Sequence, residues 1–317
     1  MRVLVTGAAG FIGSTTAELL LDRGHDVVAL DSLIRGRVEN VPARATFVEG
    51  DCGDSELIRS LGAFDACVHF AARIEPADSM ATPERFFTNN VAQTFAMCEA
   101  LIETGTPKVV FSSSCAVYGN QVKMPIDEER ATNPHSPYGE SKLMVETGLH
   151  WMAQHGRLRS ASLRYFNAAG GTLAHPERHE PEIHLIPLAF DAVLGRRELL
   201  SIFGADYPTS DGTCVRDYIH VSDLADAHVR AINALDEYSE LTLNLGTGLG
   251  SSIFEVIESV RRVTGRDVPT RLADRRAGDP AEAVASNARA REVLGWVLEK
   301  SGLDDIVRDA WSAYQVV

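Results

Sequence analysis

Through the first half of the chain, short β-branched runs alternate with stretches whose apolar positions recur every three or four residues. Arg2-Val3-Leu4-Val5-Thr6 has the pattern of a buried parallel strand. Thr15–Arg23 places Ala17, Leu20 and Leu21 on one helical face, with Gly24 where a helix stops. Val27-Val28-Ala29-Leu30 is a second strand ending on Asp31, and polar Ser32–Ala45, with Gly36 and Pro42, reads as a loop. Thr46–Asp51 and Ala66–Ala72 are the third and fourth strands. A helix over Phe86–Thr104 follows, and then a fifth strand, Lys108–Ser114, that runs into serines. Ser136–His155 opens as a helix after Pro137, and Ser160–Phe166 is another core strand. From Asn167 to His184 the pattern breaks into a glycine-, proline- and histidine-rich loop. Beyond it come short pieces: Leu188–Leu194, Leu199–Phe203, a strand before His220, a helix over Ser222–Leu235 and a strand at Leu241–Leu245. Phe254–Val263 and Leu303–Tyr314 carry helical periodicity. The alternation predicts an α/β fold with a doubly wound parallel sheet and a ligand across the strands' C-terminal ends.

The first strand runs into Gly7-Ala8-Ala9-Gly10-Phe11-Ile12-Gly13. Residues without Cβ let the backbone turn tightly from strand to helix and let a pyrophosphate approach the free N–H groups of the helix start. Asp31 can accept hydrogen bonds from a ribose diol and repels a 2′-phosphate, which favours NAD over NADP. Strand, loop, helix, strand and acid in order make a dinucleotide site far more specific than glycines alone. Asp51, ending the third strand, is placed to meet adenine, and the small residues of Phe70-Ala71-Ala72 let the backbone pass close to the cofactor. Arg35 and Arg37 read as solvated surface residues, and His69 as a satisfied core histidine.

Composition narrows the choice. The 317 residues suffice for one large domain or two closely joined ones, and 45% hydrophobic with 23% charged residues is an ordinary globular balance. A net charge of −14 argues against nucleic acid or an anionic membrane as partner. No apolar run approaches a membrane span, and a strand beginning at residue 2 leads us to expect no signal peptide. Five scattered cysteines without CxxC spacing read as reduced thiols of a cytoplasmic protein. His175, His179 and His184 invite a metal reading, but no carboxylate or cysteine completes a recognisable ligand spacing, so no metal is expected.

Tyr138 and Lys142 in Tyr138-Gly139-Glu140-Ser141-Lys142 share one helical face. An ammonium beside a phenol stabilises the phenolate and is expected to draw the tyrosine's pKa down toward neutrality. That makes Tyr138 a general base or acid for a substrate hydroxyl. Ser114, at the end of a core strand, can orient the reacting oxygen and relay its proton. Catalytic candidates are therefore Ser114, Tyr138 and Lys142.

These residues resemble the extended short-chain dehydrogenase/reductase family, and within it the UDP-glucose 4-epimerases. The likeness rests on Gly7–Gly13, Asp31, Phe111–Ser114 with Val117-Tyr118-Gly119, and Ser136-Pro137-Tyr138 with Ser141-Lys142. It continues through Arg164–Asn167, Val215–His220, Asn244-Leu245-Gly246 and Arg275-Arg276-Ala277-Gly278-Asp279, in family order over nearly the whole chain. It implies a Rossmann-type NAD-binding domain over 1–166, with returning segments near 215–246. A smaller substrate lobe for a UDP-sugar is implied over 167–214 and 247–317. It implies that NAD contacts Gly7, Gly10, Phe11, Ile12, Gly13, Asp31, Asp51, Cys52, Phe70, Ala71, Ala72, Asn89, Tyr138, Lys142 and Tyr165. Substrate contacts are implied for Ser114, Tyr138, His184 and Leu185; for Asn167, Arg216 and Arg276 at the diphosphate; for Asp279 at the uridine ribose; and for Ser201–Phe203 at the uracil. The implied reaction is removal of the sugar 4-hydroxyl proton by Tyr138 as hydride leaves C4 for NAD, then rotation of the 4-keto sugar and return of the hydride to its other face. Similar epimerases are homodimers joined through two helices each, here Phe86–Thr104 and Tyr138–His155.

Some positions depart from the pattern or bear on rivals. Where family members carry a basic residue after the fourth strand, this chain has Arg73 and Ile74, and which of them meets NAD stays open. Nucleotide-sugar dehydratases and decarboxylases carry acidic residues after the serine cluster, where this chain has Cys115-Ala116. A reductase exchanging its cofactor, or work on a UDP-pentose or UDP-uronic acid, remains an alternative within the family. A non-catalytic NAD-binding module would tend to lose Tyr138 or Lys142. Ala283 matches the position whose bulk decides whether N-acetylated UDP-sugars enter, and its small side chain is expected to admit UDP-GlcNAc and UDP-GalNAc.

Overall fold

Val3 and Val5 of the first strand, β1 (Arg2–Thr6), pack on one face of a sheet and Leu4 on the other, and all three are fully buried. That two-sided burial is what a near-continuous apolar strand needs, and it calls for helices on both faces. A computed structural model, which describes residues 1–276 and 278–315, supplies them. Ala277 lies outside the described residues.

The remaining strands are β2 (Asp26–Asp31), β3 (Thr46–Glu49), β4 (Ala66–His69), β5 (Lys108–Ser114), β6 (Arg159–Tyr165), β7 (Asn167–Ala169), β8 (Leu200–Phe203), β9 (Val215–His220), β10 (Glu240–Leu245), β11 (Gly250–Ser252), β12 (Thr270–Ala273) and β13 (Glu282–Ala283). Seven of them form one parallel sheet in the order β10-β6-β5-β4-β1-β2-β3. On one face, Ala17 and Leu20 of the helix Phe11–Asp22 pack with Leu224, Ala227 and Ile232 of the helix Val221–Ala234. On the other, Met97, Cys98 and Leu101 of the helix Gln93–Glu103 meet Val145 and Leu149 of the helix Pro137–Gln154. The doubly wound parallel sheet expected from the alternation is present, and strand order reverses between β1 and β4, which opens a crevice at their C-terminal ends.

Of the segments expected to return, β10 joins the large sheet as its edge, whereas β9 heads a separate small sheet with β7, β11 and β13. A further pair, β8 and β12, packs beside the helices Leu185–Val193, Ile253–Thr264 and Leu303–Gln315 over Phe190, Ile202, Val260 and Trp311. The helix expected over Phe86–Thr104 is interrupted: its first part, Phe87–Ala92, is a π-helical turn. Such insertions rotate the residues they carry, often toward a functional site.

β9 is tied to the chain around it by a buried carboxylate. Asp217 accepts hydrogen bonds from the Thr247 amide (2.8 Å), the Thr247 hydroxyl (2.6 Å), the Gly248 amide (3.0 Å) and the Ala285 amide (3.1 Å). Gly246 has to lack a side chain beside it, since a Cβ there would lie 2.5 Å from the Asp217 carboxylate. Within the Arg216-Asp217-Tyr218-Ile219-His220 stretch, the aspartate is therefore a structural clamp. Asp217→Ala would strand three backbone donors in the interior and is expected to cost about 3 kcal/mol or more. Thermal unfolding should show a fall in Tm of several degrees, with a smaller fall for Asp217→Asn; an Asp217→Ala protein as stable as the parent would refute the clamp.

Candidate active site

The glycine loop closes by contacts that only glycine permits. Gly7 has φ +69°, and a Cβ on it would meet the Ala71 amide nitrogen at 2.6 Å; one on Gly13 would lie 2.1 Å from the Gly7 carbonyl oxygen. Gly10 then caps the helix Phe11–Asp22 with no side-chain hydrogen bond, so the helix start keeps its N–H groups for an anion. Asp31 is buried at the end of β2. One carboxylate oxygen accepts the Ala9 amide (2.9 Å) and the other the Leu33 amide (2.8 Å), which fixes the acid against the loop.

A single cavity runs from this loop along the sheet's C-terminal edge. Gly7, Gly10, Phe11, Ile12, Gly13, Asp31, Asp51, Cys52, Phe70, Ala71, Ala72, Asn89, Ser114, Tyr138, Lys142, Tyr165, Asn167 and His184, all singled out in the sequence, line it together. Arg73 and Ile74 both line it as well. The π-helical turn presents Asn89, whose side-chain oxygen accepts the Arg73 amide (3.1 Å) while its nitrogen donates to Gln93 (2.6 Å). Gln93 in turn donates to Asp51 (3.0 Å). The bare helix start, the acid that ends β2 and the glycine cradle fit a dinucleotide; when bound, such a cofactor supplies a hydride acceptor and donor.

The Ser136 hydroxyl caps the helix Pro137–Gln154 by accepting the Gly139 amide (3.2 Å), and Pro137 begins its first turn. Tyr138, Lys142 and Glu146 then follow at spacings of four on one face. Lys142 is buried; its ammonium donates to the Ser112 carbonyl (2.8 Å) and sits 4.9 Å above the Phe111 ring. Burial pulls its pKa down to about 7 against the pull of Glu146. Tyr138 does not follow the sequence expectation. Burial pushes its phenol up to about 12, and the neighbouring Ser114 hydroxyl only partly offsets this. The reason is geometric: the Lys142 ammonium is 5.9 Å from the Tyr138 ring centre and its hydrogen bond goes to Ser112. The phenol is thus held in its neutral, protonated form.

Sequence reasoning passed over several of the supporting groups. Glu146, buried, holds Arg164 through a forked ion pair (2.9 and 3.2 Å from Nε) and accepts the Ser113 hydroxyl. Arg164 also donates to the Tyr118 hydroxyl (2.9 Å), which donates to Asn244 (2.8 Å). The Ser112 and Tyr165 hydroxyls are hydrogen-bonded to each other. The four-residue spacing after Lys142 was the available signal for Glu146; Ser112 had none beyond its place in the serine run. His69 is the core histidine expected, bonded to Thr6 (2.6 Å) and Thr94 (2.8 Å), with burial pushing its pKa down to about 3.

Leu185, Ser201, Phe203, Arg216, Arg276 and Asp279 do not line that cavity. Arg216 and Asp279 approach to 3.7 Å, the Arg276 guanidinium lies 4.0 Å over the Phe203 ring, and Ser201 accepts Arg271 (3.0 Å). Arg216 is paired with Ala283 across β9 and β13, and Ala283 packs in a cluster that includes Cys115, next to Ser114, so Arg216 adjoins the catalytic end of the cavity. Leu185 packs into the core, and what it offers a ligand is the start of a helix without a side-chain cap.

The histidine-rich loop corrects one step of the sequence argument. Glu177 and Glu182 do bring carboxylates to His179 and His184, whereas His175 lies apart, nearest to Glu18. Burial works against an imidazolium at His184, but Glu177 and Glu182 outweigh it and hold its pKa up at about 10.

A family model described as the NAD dependent epimerase/dehydratase family matches residues 3–246. A UDP-glucose 4-epimerase of Azospirillum brasilense is 48% identical over 98% of this chain and 91% of its own length. The crystal structure of UDP-glucose 4-epimerase from Brucella ovis in complex with NAD superposes with a TM-score of 0.95 at 45% identity, covering 99% of this chain and 98% of that one. A UDP-glucose-4-epimerase from Stenotrophomonas maltophila with bound NAD and formylated UDP-arabinopyranose gives 0.96 at 38% identity, with coverage of 99% and 98%.

The Lys142 environment has a measurable consequence for stability. Its folded pKa lies below that of the unfolded chain, so between about pH 7 and pH 10 the unfolded chain binds the extra proton, and stability of the ligand-free protein should rise with pH. Lys142→Met should be the more stable protein at pH 7 and should lose most of that rise. A thermal-melt series over this range that is identical for both proteins would show that the lysine is not buried at a cost.

Proposed function

The chain belongs to the NAD dependent epimerase/dehydratase family, and from that premise we propose that Tyr138, Ser114 and Lys142 perform NAD-dependent 4-epimerisation of UDP-hexoses, interconverting UDP-glucose and UDP-galactose through a transient 4-keto sugar. The observation that carries the assignment of roles is that Tyr138, Lys142 and Ser114 line the same cavity as the glycine loop and Asp31. Tyr138 takes the proton of the sugar 4-hydroxyl and returns it after the sugar turns over. Ser114 orients that hydroxyl, and Lys142, one helical turn from Tyr138, is the cation placed to offset the phenolate's charge as it forms. NAD, when bound, accepts the C4 hydride and gives it back within the same cycle.

A sugar that must present both faces cannot itself be held tightly, so binding energy has to rest on the nucleotide. Arg216 and Arg276 suit the diphosphate by charge and Asn167 by its amide, Asp279 the ribose, and Ser201 and Phe203 the base, with His184 and Leu185 at a helix start as further contacts. The Arg276 guanidinium lies 4.0 Å over the Phe203 ring, which supports a stacking role for that ring. Acceptance of the UDP-N-acetylhexosamine pair rests on the small side chain of Ala283 at the position the resemblance singles out; that side chain is buried beside Val117, Tyr118 and Phe166. The division proposed is an NAD-binding domain over 1–166, to which the helix Val221–Ala234 and β10 return, and a substrate lobe from the described residues of 167–220 and 247–315.

The same reading makes the protein a cytoplasmic homodimer. Five unpaired thiols suit a reducing compartment, and no helix among the described residues is long and apolar enough to cross a membrane. Trp151 and Met144 stand 58% and 41% exposed on the helix Pro137–Gln154, an apolar surface suited to pairing with the same helix of a second copy.

Tyr138→Phe keeps the ring and removes only the base. It should lower kcat by about a thousandfold or more while leaving UDP affinity within about twofold. A phenylalanine variant retaining a tenth of parental turnover would remove Tyr138 from the mechanism.

A further inference from the structure

The segment after β7 folds back over the cofactor cavity and gathers Glu177, His179, Glu182 and His184, with one side-chain ligand atom from each lying within 4.8 Å of all the others. From Glu177 Oε1, His184 Nδ1 is 2.9 Å away and His179 Nδ1 3.9 Å. Glu182 lies 3.3 Å from His184 Nδ1 and 3.7 Å from His179 Nδ1. Both Nδ1 atoms are shut off from solvent, and their close polar contacts are to these carboxylates. We propose that these four side chains form a binding site for a divalent transition-metal ion of the zinc type.

The spacing suits such an ion. Bonds of about 2.0–2.2 Å place the corners of a tetrahedron about 3.3–3.6 Å apart, and the distances above bracket that edge. The donor set is also selective. Two imidazoles with two carboxylates suit zinc and its first-row neighbours, whereas magnesium and calcium take oxygen. Two carboxylates facing two imidazoles need about two positive charges for neutrality, which one divalent ion supplies. A supporting layer is already in place: Glu182 accepts the backbone amides of His179 (3.2 Å), Ile183 (2.8 Å) and His184 (2.9 Å), which fixes its carboxylate toward the histidines.

Four protein ligands leave no open position, so the site is structural. It pins a loop to the start of the helix Leu185–Val193. Glu177, His179 and His184 also line the cofactor cavity, so the ion would stiffen part of that cavity's wall. This inference rests on the cluster's own geometry and stands apart from the epimerase assignment; its readout is the metal itself.

The test uses the full chain, stripped with EDTA and equilibrated by dialysis against micromolar Zn²⁺ in excess Mg²⁺, with bound metal measured by mass spectrometry. The expected result is one zinc ion per chain and a higher Tm on zinc addition. Loss of supporting residues around metal sites costs about 10–100-fold in affinity, so loss of a ligand in His179→Ala or Glu177→Gln should cost about 100-fold or more. Glu177→Gln preserves shape should the alanine variant fold poorly, and Co²⁺ substituted into the parent should show the intense visible bands of a tetrahedral site. Absence of stoichiometric zinc, or equal uptake by the parent and Glu177→Gln, would overturn the proposal and leave the cluster as a network of protonated histidines and carboxylates.

Discussion

No side chain fits at Gly13, where a Cβ would lie 2.1 Å from the Gly7 carbonyl oxygen, and the architecture of the site depends on that contact. It lets the helix Phe11–Asp22 start directly against the end of β1, aiming its bare N-terminus along the sheet's C-terminal edge. Asp31 then binds the same loop from the neighbouring strand through the Ala9 amide, so that helix start, acid and loop form one rigid unit. A side chain at Gly13 would push the helix away from the strand and disturb anion site and acid together.

The catalytic end is built on a different principle, the burial of charge. Tyr138, Lys142 and Glu146 climb one face of a helix, and Glu146 is itself committed to Arg164 and Ser113. Burial raises the phenol and lowers the ammonium, which are opposite shifts with a single cause: the charged form of each lacks water. The large sheet is well suited to hold such a constellation, because Ser114, Tyr138 and Lys142 stand on a core strand and on a helix packed against it.

Most of the dinucleotide half was legible in the sequence because each part there is a local pattern: a β-branched run, a glycine spacing, an acid at a strand end. The YxxxK face was legible for the same reason. Its pKa was not, since the direction is set by burial of the phenol under residues far away in sequence, which a local spacing does not show. The small sheet of β7, β9, β11 and β13 escaped because strands of two to six residues, paired across long sequence gaps, leave little periodicity. The π-helical turn at Phe87–Ala92 escaped because its apolar pattern reads as ordinary helix. Glu177 and Glu182 were overlooked as partners of the histidines because irregular loop backbone, not a fixed spacing, brings them together. Asp217 looked like part of a ligand motif, and only the fold shows it clamping three segments.

The central claim is that this site removes a hydride from sugar C4 and returns it to the same carbon without releasing it. The direct test is to incubate the purified protein, with no cofactor added, with UDP-glucose carrying deuterium at C4 in ordinary water, and to follow the product by NMR. The account predicts UDP-galactose that retains the deuterium at C4. Product with protium at C4, or turnover only when free NAD or NADH is supplied, would contradict it.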